Sequence, residues 1–153
     1  QSRRDAFAQS AESLARLVPI AEEAGVTLTI EPHVHSYLES PALVLDLLDQ
    51  VPGLKLTLDY AHFTCLGWRQ DEIDVLAPYA AHVHLRQSKI GELQTKLDKG
   101  TINIAAELGI LRASGYDGRL SIEYTFQDYM NSLYDDILTE TIRMRDLVRS
   151  WQA

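Results

Sequence analysis

The sequence lacks the features that define several classes of protein. It has a single cysteine, Cys65, which excludes an internal disulfide and fits a reducing compartment, so we expect a cytoplasmic protein. No apolar run approaches the length of about 20 residues that a membrane-spanning helix needs. Basic residues are few, 14 against 22 acidic ones. The resulting net charge of −8 argues against sequence-independent binding to nucleic acid, which depends on Lys and Arg.

The composition that remains is typical of one globular domain. The 153 residues are 46% hydrophobic and 24% charged, and no low-complexity segment or evident linker divides them. A chain of this length can bury a sizeable apolar core. Residues 1–153 are therefore predicted to form a single domain.

Hydrophobic periodicity divides the chain into helices and strands. A helix is predicted over residues 5–24, in which Pro19 favours a kink or break and Gly25 marks the C-terminal end. Four strand–helix units follow, with strands that read VTLTIE, LKLTLD, HVHLRQ and GRLSIEYT and with starts near residues 26, 54, 81 and 119. Strands that alternate with helices predict parallel pairing through crossover connections, and hence an α/β fold.

Two segments after the third strand bear on the site and on the packing. Residues 87–101, QSKIGELQTKLDKGT, are polar and are interpreted as a long loop, which either covers a ligand or is simply solvated. Residues 130–151 are interpreted as one long amphipathic helix. The apolar positions that this helix offers for packing are Leu133, Ile137, Ile142 and Leu147.

Each of the four predicted strands has a polar face and an aliphatic face. The polar face of each strand includes one potential metal ligand near its C-terminal end, and these residues are Glu31, Asp59, His84 and Glu123. Ligand sites in parallel α/β folds gather at the C-terminal ends of the strands, so we expect the four side chains to converge. Three carboxylates and one imidazole suit one divalent ion, Mn²⁺, Mg²⁺, Co²⁺ or Zn²⁺. The alternative is that each of the four residues is paired with a different opposite charge. Their position on the same face of the sheet disfavours it.

Five sequence motifs resemble those of a known family. The segments TIEPHVHS, LTLDYAHF, HVHLRQ, KGTINIAAELGILRASGYDG and LSIEYT together resemble the xylose isomerase-like TIM barrels. These are sugar and sugar-phosphate isomerases and epimerases of carbohydrate metabolism, with endonuclease IV as a more distant relative. The resemblance covers residues 26–125 and corresponds to the last four strands of an eight-stranded barrel. It implies a (β/α) TIM-barrel type of fold in which a helix precedes four βα units.

The resemblance also implies a chemistry. In this family Glu, Asp, His and Glu at successive strand ends hold one divalent ion, and these positions fall on Glu31, Asp59, His84 and Glu123. The substrate would be a sugar or sugar phosphate that reacts through an enediolate. Glu31 and Glu123 would be the two catalytic carboxylates, one removing a proton and the other returning it.

Further residues are candidates for contact with the substrate. His62 matches the histidine of the family's Asp-x-x-His motif, which contacts substrate in the isomerases; the alternative is that it caps a helix or supports a metal ligand. Arg86 is a candidate for steadying a substrate oxygen, with a salt bridge to a site carboxylate as the alternative. His33, in the loop after the first strand, and Lys89, in the polar loop, could reach the substrate or be solvated. His82 is interpreted as a packed, hydrogen-bonded interior histidine.

Other functions remain open on the sequence. The endonuclease branch places an aspartate and a histidine, one residue apart, in the loop after the third strand, whereas no histidine follows His84 in this chain. A DNA-repair phosphodiesterase is therefore disfavoured. A catalytically silent metal-binding half-barrel, or an interaction module, is the main alternative to an enzyme. Because half a barrel leaves two open sheet edges, we expect a homodimer or another half-barrel partner.

Overall fold

The computed structural model describes residues 3–132 and 136–152. Within them the strands are β1 (Thr29–Ile30), β2 (Lys55–Asp59), β3 (Ala80–Leu85), β4 (Gln87–Lys89), β5 (Glu92–Thr95) and β6 (Leu120–Ile122). The helices are α1 (Arg3–Glu23), α2 (Pro41–Gln50), α3 (Ala61–Thr64), α4 (Gln70–Ile73), α5 (Ile104–Ala113) and α6 (Ile137–Gln152), with a 3₁₀ helix at Asp74–Tyr79. Among the described residues, no helix combines the length and the apolarity that crossing a lipid bilayer requires.

The main sheet confirms the predicted α/β fold. Its strands are hydrogen-bonded in the order β1-β2-β3-β6, and all three neighbouring pairs are parallel. The register aligns Asp59 of β2 with His84 of β3, and His84 with Ser121 of β6. Because the strands run in one direction, their C-terminal ends meet at one edge, where the polar faces are side by side.

The aliphatic strand faces form the core beneath the helices. Leu56, Leu58 and Val83 are completely buried, and Val44 of α2 is buried with them. Burying a side chain of this size contributes about 1.5–3 kcal/mol to stability. The core therefore anchors the strands from one side and leaves their polar face free to build a site.

The helix before the sheet differs from the prediction at its proline. Pro19 lies inside α1, and the helix continues through it to Glu23. Gly25 then ends the helix as predicted, with a φ of 69° that suits glycine. The amides of Gly25 and Val26 donate to the carbonyls of Glu22 and Ala21, which satisfies the last turn.

The interpretation of residues 87–101 as a loop is wrong, because their first part is a β-hairpin. Strands β4 and β5 pair antiparallel around a turn at Ile90 and Gly91, where Gly91 has a φ of 79°. Polar side chains inside the hairpin are buried and bonded to distant backbone. Ser88 Oγ donates to the Ala61 carbonyl at 3.2 Å, and Gln94 exchanges two hydrogen bonds with the backbone of Thr125. The segment is polar because these side chains form buried hydrogen bonds, and not because the segment is a solvated loop.

The C-terminal helix begins later than predicted and packs only part of the predicted apolar face inward. Met130 and Asn131 have φ of 51° and 52°, which an α-helix cannot use, and α6 starts at Ile137. Ile137 packs against the core as predicted, and Met144 and Val148 are buried, whereas Ile142 and Leu147 are 39% and 37% exposed. The predicted packing position Leu133 lies outside the described residues.

Candidate metal centre

The four predicted ligands converge at one end of the sheet. Glu31, Asp59, His84 and Glu123 each offer one ligand atom, and these atoms all lie within 4.8 Å of one another. Asp59 is the last residue of β2, while Glu31 and Glu123 directly follow β1 and β6. The pleat of the strands brings them to the same face.

Hydrogen bonds order the cluster. His84 Nδ1 lies 2.9 Å from Glu31 Oε1 and 3.2 Å from Glu123 Oε2. Asp59 is fully buried; its Oδ1 accepts the backbone N–H of Ala61 at 2.8 Å. The two glutamate carboxylates thus share the imidazole of His84, while Asp59 is held by the backbone beside them.

These contacts change the ionisation of the cluster. The nearby carboxylates of Glu123 and Glu31 stabilise the protonated ring and raise the pKa of His84 to about 10. Burial alone would raise the pKa of Glu31, but the neighbouring imidazoles of His62 and His84 hold this pKa well below its usual range. Burial is likewise outweighed at Glu123, whose pKa is lowered by His84 and by the guanidinium of Arg86. At neutral pH the cluster therefore holds carboxylates around an imidazolium, and metal coordination by His84 must release a proton.

The residues present fit a divalent metal ion. Carboxylate oxygens with one imidazole nitrogen are donors that Mg²⁺, Mn²⁺, Co²⁺ and Zn²⁺ accept. Glu123 Oε2 is buried but makes no hydrogen bond of good geometry among the described residues, although two nitrogen atoms lie 3.2 Å away. A buried oxygen of this kind is available to a cation.

Arg86 and His62 lie against the cluster and are both buried. Arg86 Nη2 donates to Asp59 Oδ2 at 2.6 Å and lies 3.2 Å from Glu123 Oε2, so the salt bridge is the arrangement that the structure shows. The backbone amide of Val34 lies 3.4 Å from His62 Nδ1, and Arg86 Nη2 lies 3.0 Å from His62 Nε2, so both ring nitrogens face a hydrogen-bond donor. That Nε2 is 3.7 Å from a carboxylate oxygen of Glu31 and equally far from one of Asp59.

The loops after the two outer strands form the mouth of the site. The ring of His33 lies 3.9 Å from the ring of His62, centroid to centroid. His35 Nδ1 is 2.8 Å from the hydroxyl oxygen of Tyr129, which comes from the loop after β6. Tyr129 was not predicted as a site residue. The only signal in the sequence was an aromatic residue shortly after a strand-end carboxylate.

The candidate Lys89 makes no hydrogen bond or ion pair with the four ligands in the described part of the chain. Lys89 lies in β4, where its Nζ is 2.9 Å from Glu92 Oε1. His82 Nε2 is 2.8 Å from Ser121 Oγ, so the predicted hydrogen bond is present, but the side chain is only half-buried and its ring lies 5.2 Å from that of His84, centroid to centroid. Burial lowers the pKa of His82, and the neighbouring charge of His84 lowers it further, so His82 is neutral at pH 7.

This fold and geometry define a class of protein, namely a parallel half-barrel with a candidate divalent-metal site at its strand ends. The sequence matches the family model described as xylose isomerase-like TIM barrel over residues 1–143. The chain therefore belongs to the xylose isomerase-like TIM barrel family. A search of curated proteins gave no significant match.

Solved structures show the same fold at low sequence identity. A xylose isomerase-like TIM barrel protein from Mycobacterium smegmatis, in complex with magnesium, has a TM-score of 0.73 at 16% identity, over 96% of this chain and 52% of that one. D-allulose 3-epimerase from Methylomonas sp., in complex with D-allulose, has a TM-score of 0.72 at 18% identity, over 94% and 55%. An AP endonuclease, family 2, from Brucella melitensis has a TM-score of 0.72 at 16% identity, over 95% and 55%. Sugar epimerases recur among the other similar structures.

These alignments also show how much of a barrel the chain represents. The chain spans about half the length of the solved proteins that it matches. Its four parallel strands correspond to half of an eight-stranded barrel. The fold expectation of a TIM-type half-barrel is therefore confirmed.

Proposed function

We propose that this chain is the metal-binding, proton-transferring half of a divalent-metal-dependent sugar or sugar-phosphate isomerase or epimerase. The observation that carries the proposal is the convergence of Glu31, Asp59, His84 and Glu123, with ligand atoms within 4.8 Å of one another. Membership of the family and the recurrence of sugar epimerases among similar structures support it.

The four clustered residues would hold one divalent ion, Mn²⁺, Mg²⁺, Co²⁺ or Zn²⁺. Such an ion, when bound, polarises a sugar carbonyl and makes the adjacent carbon more acidic. The remaining chemistry falls to the side chains of the chain itself.

Glu31 and Glu123 would act as the two proton carriers. They follow β1 and β6, the outermost strands of the sheet, from which they would approach a substrate on opposite sides. Their lowered pKa values keep both groups ionised at neutral pH, so that either could accept a proton. One carboxylate takes the proton from the carbon beside the carbonyl and leaves an enediolate. Return of a proton to the opposite face of that carbon is epimerisation, and return to the neighbouring carbon is isomerisation.

The substrate would be positioned mainly by histidines at the mouth. His62 directs its Nε2 towards the cluster, and His33 packs on its ring. A hydroxyl of the sugar can form a hydrogen bond with His62 there, since a hydroxyl both donates and accepts. Lys89 would reach a phosphate group only if its ion pair with Glu92 opens, and Arg86 would have to share its guanidinium between the carboxylates and a substrate oxygen.

The direct test is proton exchange on a panel of ketoses. The purified chain is incubated with Mn²⁺ and each sugar or sugar phosphate in D₂O, and deuterium at the carbon beside the carbonyl is followed by NMR. Metal-dependent incorporation is the expected result, and chelation with EDTA should stop it. Tight metal binding without exchange on any ketose would instead favour the catalytically silent half-barrel.

We also propose that the half-barrel pairs with a second half. Strands β1 and β6 each leave one edge unpaired within the main sheet. The helix that precedes β1 exposes Leu17 and Ile20, while α6, which packs against β6, exposes Leu138 at 70%, so apolar surface is available for a partner. A second copy of the chain would close the two edges in parallel and cover these residues.

Light scattering on the purified chain measures this pairing. A dimer is expected, and Ile20→Lys should shift it towards monomer, since a buried charge without a partner is costly. Val75→Lys, at an exposed position on the 3₁₀ helix, is the matched control and should leave the dimer intact. A compact, folded monomer of the unaltered chain would rule out the homodimer.

A further inference from the structure

Arg86 occupies an unusual position for a substrate-binding or purely structural arginine. It follows β3 and is only 4% exposed. Its Nη2 lies 2.6 Å from Asp59 Oδ2, 3.2 Å from Glu123 Oε2 and 3.0 Å from His62 Nε2. One guanidinium nitrogen therefore contacts two of the four candidate metal ligands.

The two oxygens of Asp59 are already divided between different partners. Oδ1 accepts the backbone amide of Ala61 at 2.8 Å, which leaves Oδ2 as the oxygen that faces the cluster. That oxygen is the one bonded to Arg86. A metal ion bound to Oδ2 would lie close to the guanidinium at that oxygen, and the two positive charges would repel each other, so the two cations compete for Oδ2.

The charge balance explains why a cation is needed there. Asp59 is fully buried, and Glu31 and Glu123 are half-buried beside it. Buried carboxylates are strongly unfavourable unless a positive charge compensates them. Arg86 supplies a permanent positive charge, because its guanidinium does not lose its proton in proteins. A divalent ion would supply twice that charge from within the cluster.

The guanidinium is attached mainly on one side. The hydrogen bonds that the structure shows for Arg86 all involve Nη2, and its buried Nε has no hydrogen-bond partner among the described residues. A guanidinium held by a complete set of acceptors would be costly to move. This one gives up few hydrogen bonds when it moves off the carboxylates.

We propose that Arg86 is an internal competitor of the metal ion. Its guanidinium neutralises Asp59 and Glu123 until a divalent ion displaces it, and this competition sets the affinity of the site. The inference rests on the proposed metal site and adds to it a residue that lowers metal affinity while it stabilises the cluster without metal. An arginine that merely orients Asp59 would have the opposite effect on metal binding.

Arg86→Met tests the proposal, since methionine fills much of the volume without a charge. We expect the variant to bind Mn²⁺ roughly tenfold tighter in a calorimetric titration, because the competing cation is gone. Without added metal, the variant should melt at a lower temperature than the parent, because the carboxylates lose their counter-ion. Mn²⁺ should then raise its melting temperature more than it raises that of the parent.

The control variants separate charge from folding. Arg69→Met removes an exposed arginine paired with Asp71 and should change neither measurement. If Arg86→Met does not fold, Arg86→Lys retains a positive charge with a shorter reach. It should tighten Mn²⁺ binding by a smaller factor.

The outcomes distinguish this proposal from the proposed function. If the parent binds Mn²⁺ and the folded variants bind it equally or more weakly, Arg86 is not a competitor, while the metal site stands. If neither the parent nor the variants bind a divalent ion, the metal site itself fails and the competition with it. Binding by Arg86→Met where the parent binds weakly or not at all would be the strongest support.

Discussion

Asp59→Asn is expected to weaken Mn²⁺ binding by more than about 100-fold, since even residues that only support a metal ligand often cost 10–100-fold when changed. The backbone amide of Ala61 holds Oδ1 of Asp59, so Oδ2 is the atom that faces the cluster. Asparagine offers a neutral oxygen or an amide N–H in that place, and an N–H repels a cation. The binding constant from a calorimetric titration with Mn²⁺ measures the effect.

The same substitution also affects stability, and the experiment must separate the two. Asp59 is the 2.6 Å partner of Arg86, which would keep its charge in a buried position. Breaking a buried pair costs about 3–5 kcal/mol, less here because Glu123 remains near the guanidinium. A thermal melt without metal therefore accompanies the titration. Asp59→Glu, which retains the charge, should keep more stability than the asparagine variant.

Asp49→Asn is the matched control for this prediction. Asp49 is exposed on α2, away from the strand ends, so its loss should change neither Mn²⁺ affinity nor melting temperature. Unchanged affinity in Asp59→Asn, with the fold intact, would remove Asp59 from the metal site.

Glu123→Gln is expected to slow the exchange of the substrate C–H with solvent by at least about 100-fold, the range typical of a lost general acid or base. Glutamine has nearly the same shape and can still offer an oxygen to a metal, but it cannot carry a proton. Substrate affinity should change by less than about tenfold, since a lost proton carrier acts mainly on the transition state. Deuterium incorporation followed by NMR and substrate binding measured separately give the two quantities.

Glu12→Gln controls for a general effect of removing a carboxylate. Glu12 is exposed on α1 and takes no part in the proposed proton transfer. Exchange should therefore continue at close to the parent rate. If Glu123→Gln, with Mn²⁺ bound, exchanges as fast as the parent, Glu123 is not a proton carrier and another residue must fill that role.

The fold of this chain places the carboxylates of Asp59 and Glu123 at the ends of separate strands, which is how many barrel enzymes assemble a site. The register makes Asp59 and His84 direct neighbours, while Glu31 and Glu123 come from the two outer strands. Substitution of any one of these residues therefore does not alter the other strands or the core. Because the aliphatic face holds the fold and the polar face holds the site, effects on metal binding and proton transfer can be measured in a folded protein.

The placement of the four candidate ligands was predictable from the sequence because it depends on local periodicity. Successive side chains of a strand point to opposite faces, so Glu31 and Asp59 had to share a face with the other polar residues of their strands. Parallel pairing then followed from the alternation of strands with helices. The same local signals predicted the end of α1 at Gly25.

Contacts between residues far apart in the sequence were decided only by the tertiary structure. Arg86 pairs with Asp59 across 27 positions, and Gln94 bonds to Thr125 across 31. The hydrophobic periodicity of a segment does not indicate hydrogen-bond partners that lie far away in the sequence. For this reason the hairpin β4–β5 was interpreted as a loop. The face of α6 that packs inward also did not follow from apolar residues alone, since Met144 and Val148 are buried while Ile142 and Leu147 are exposed. The sequence by itself thus determined which four residues are the candidate ligands, and the tertiary structure decided which side chains surround and touch them, because contact depends on geometry that no short segment contains.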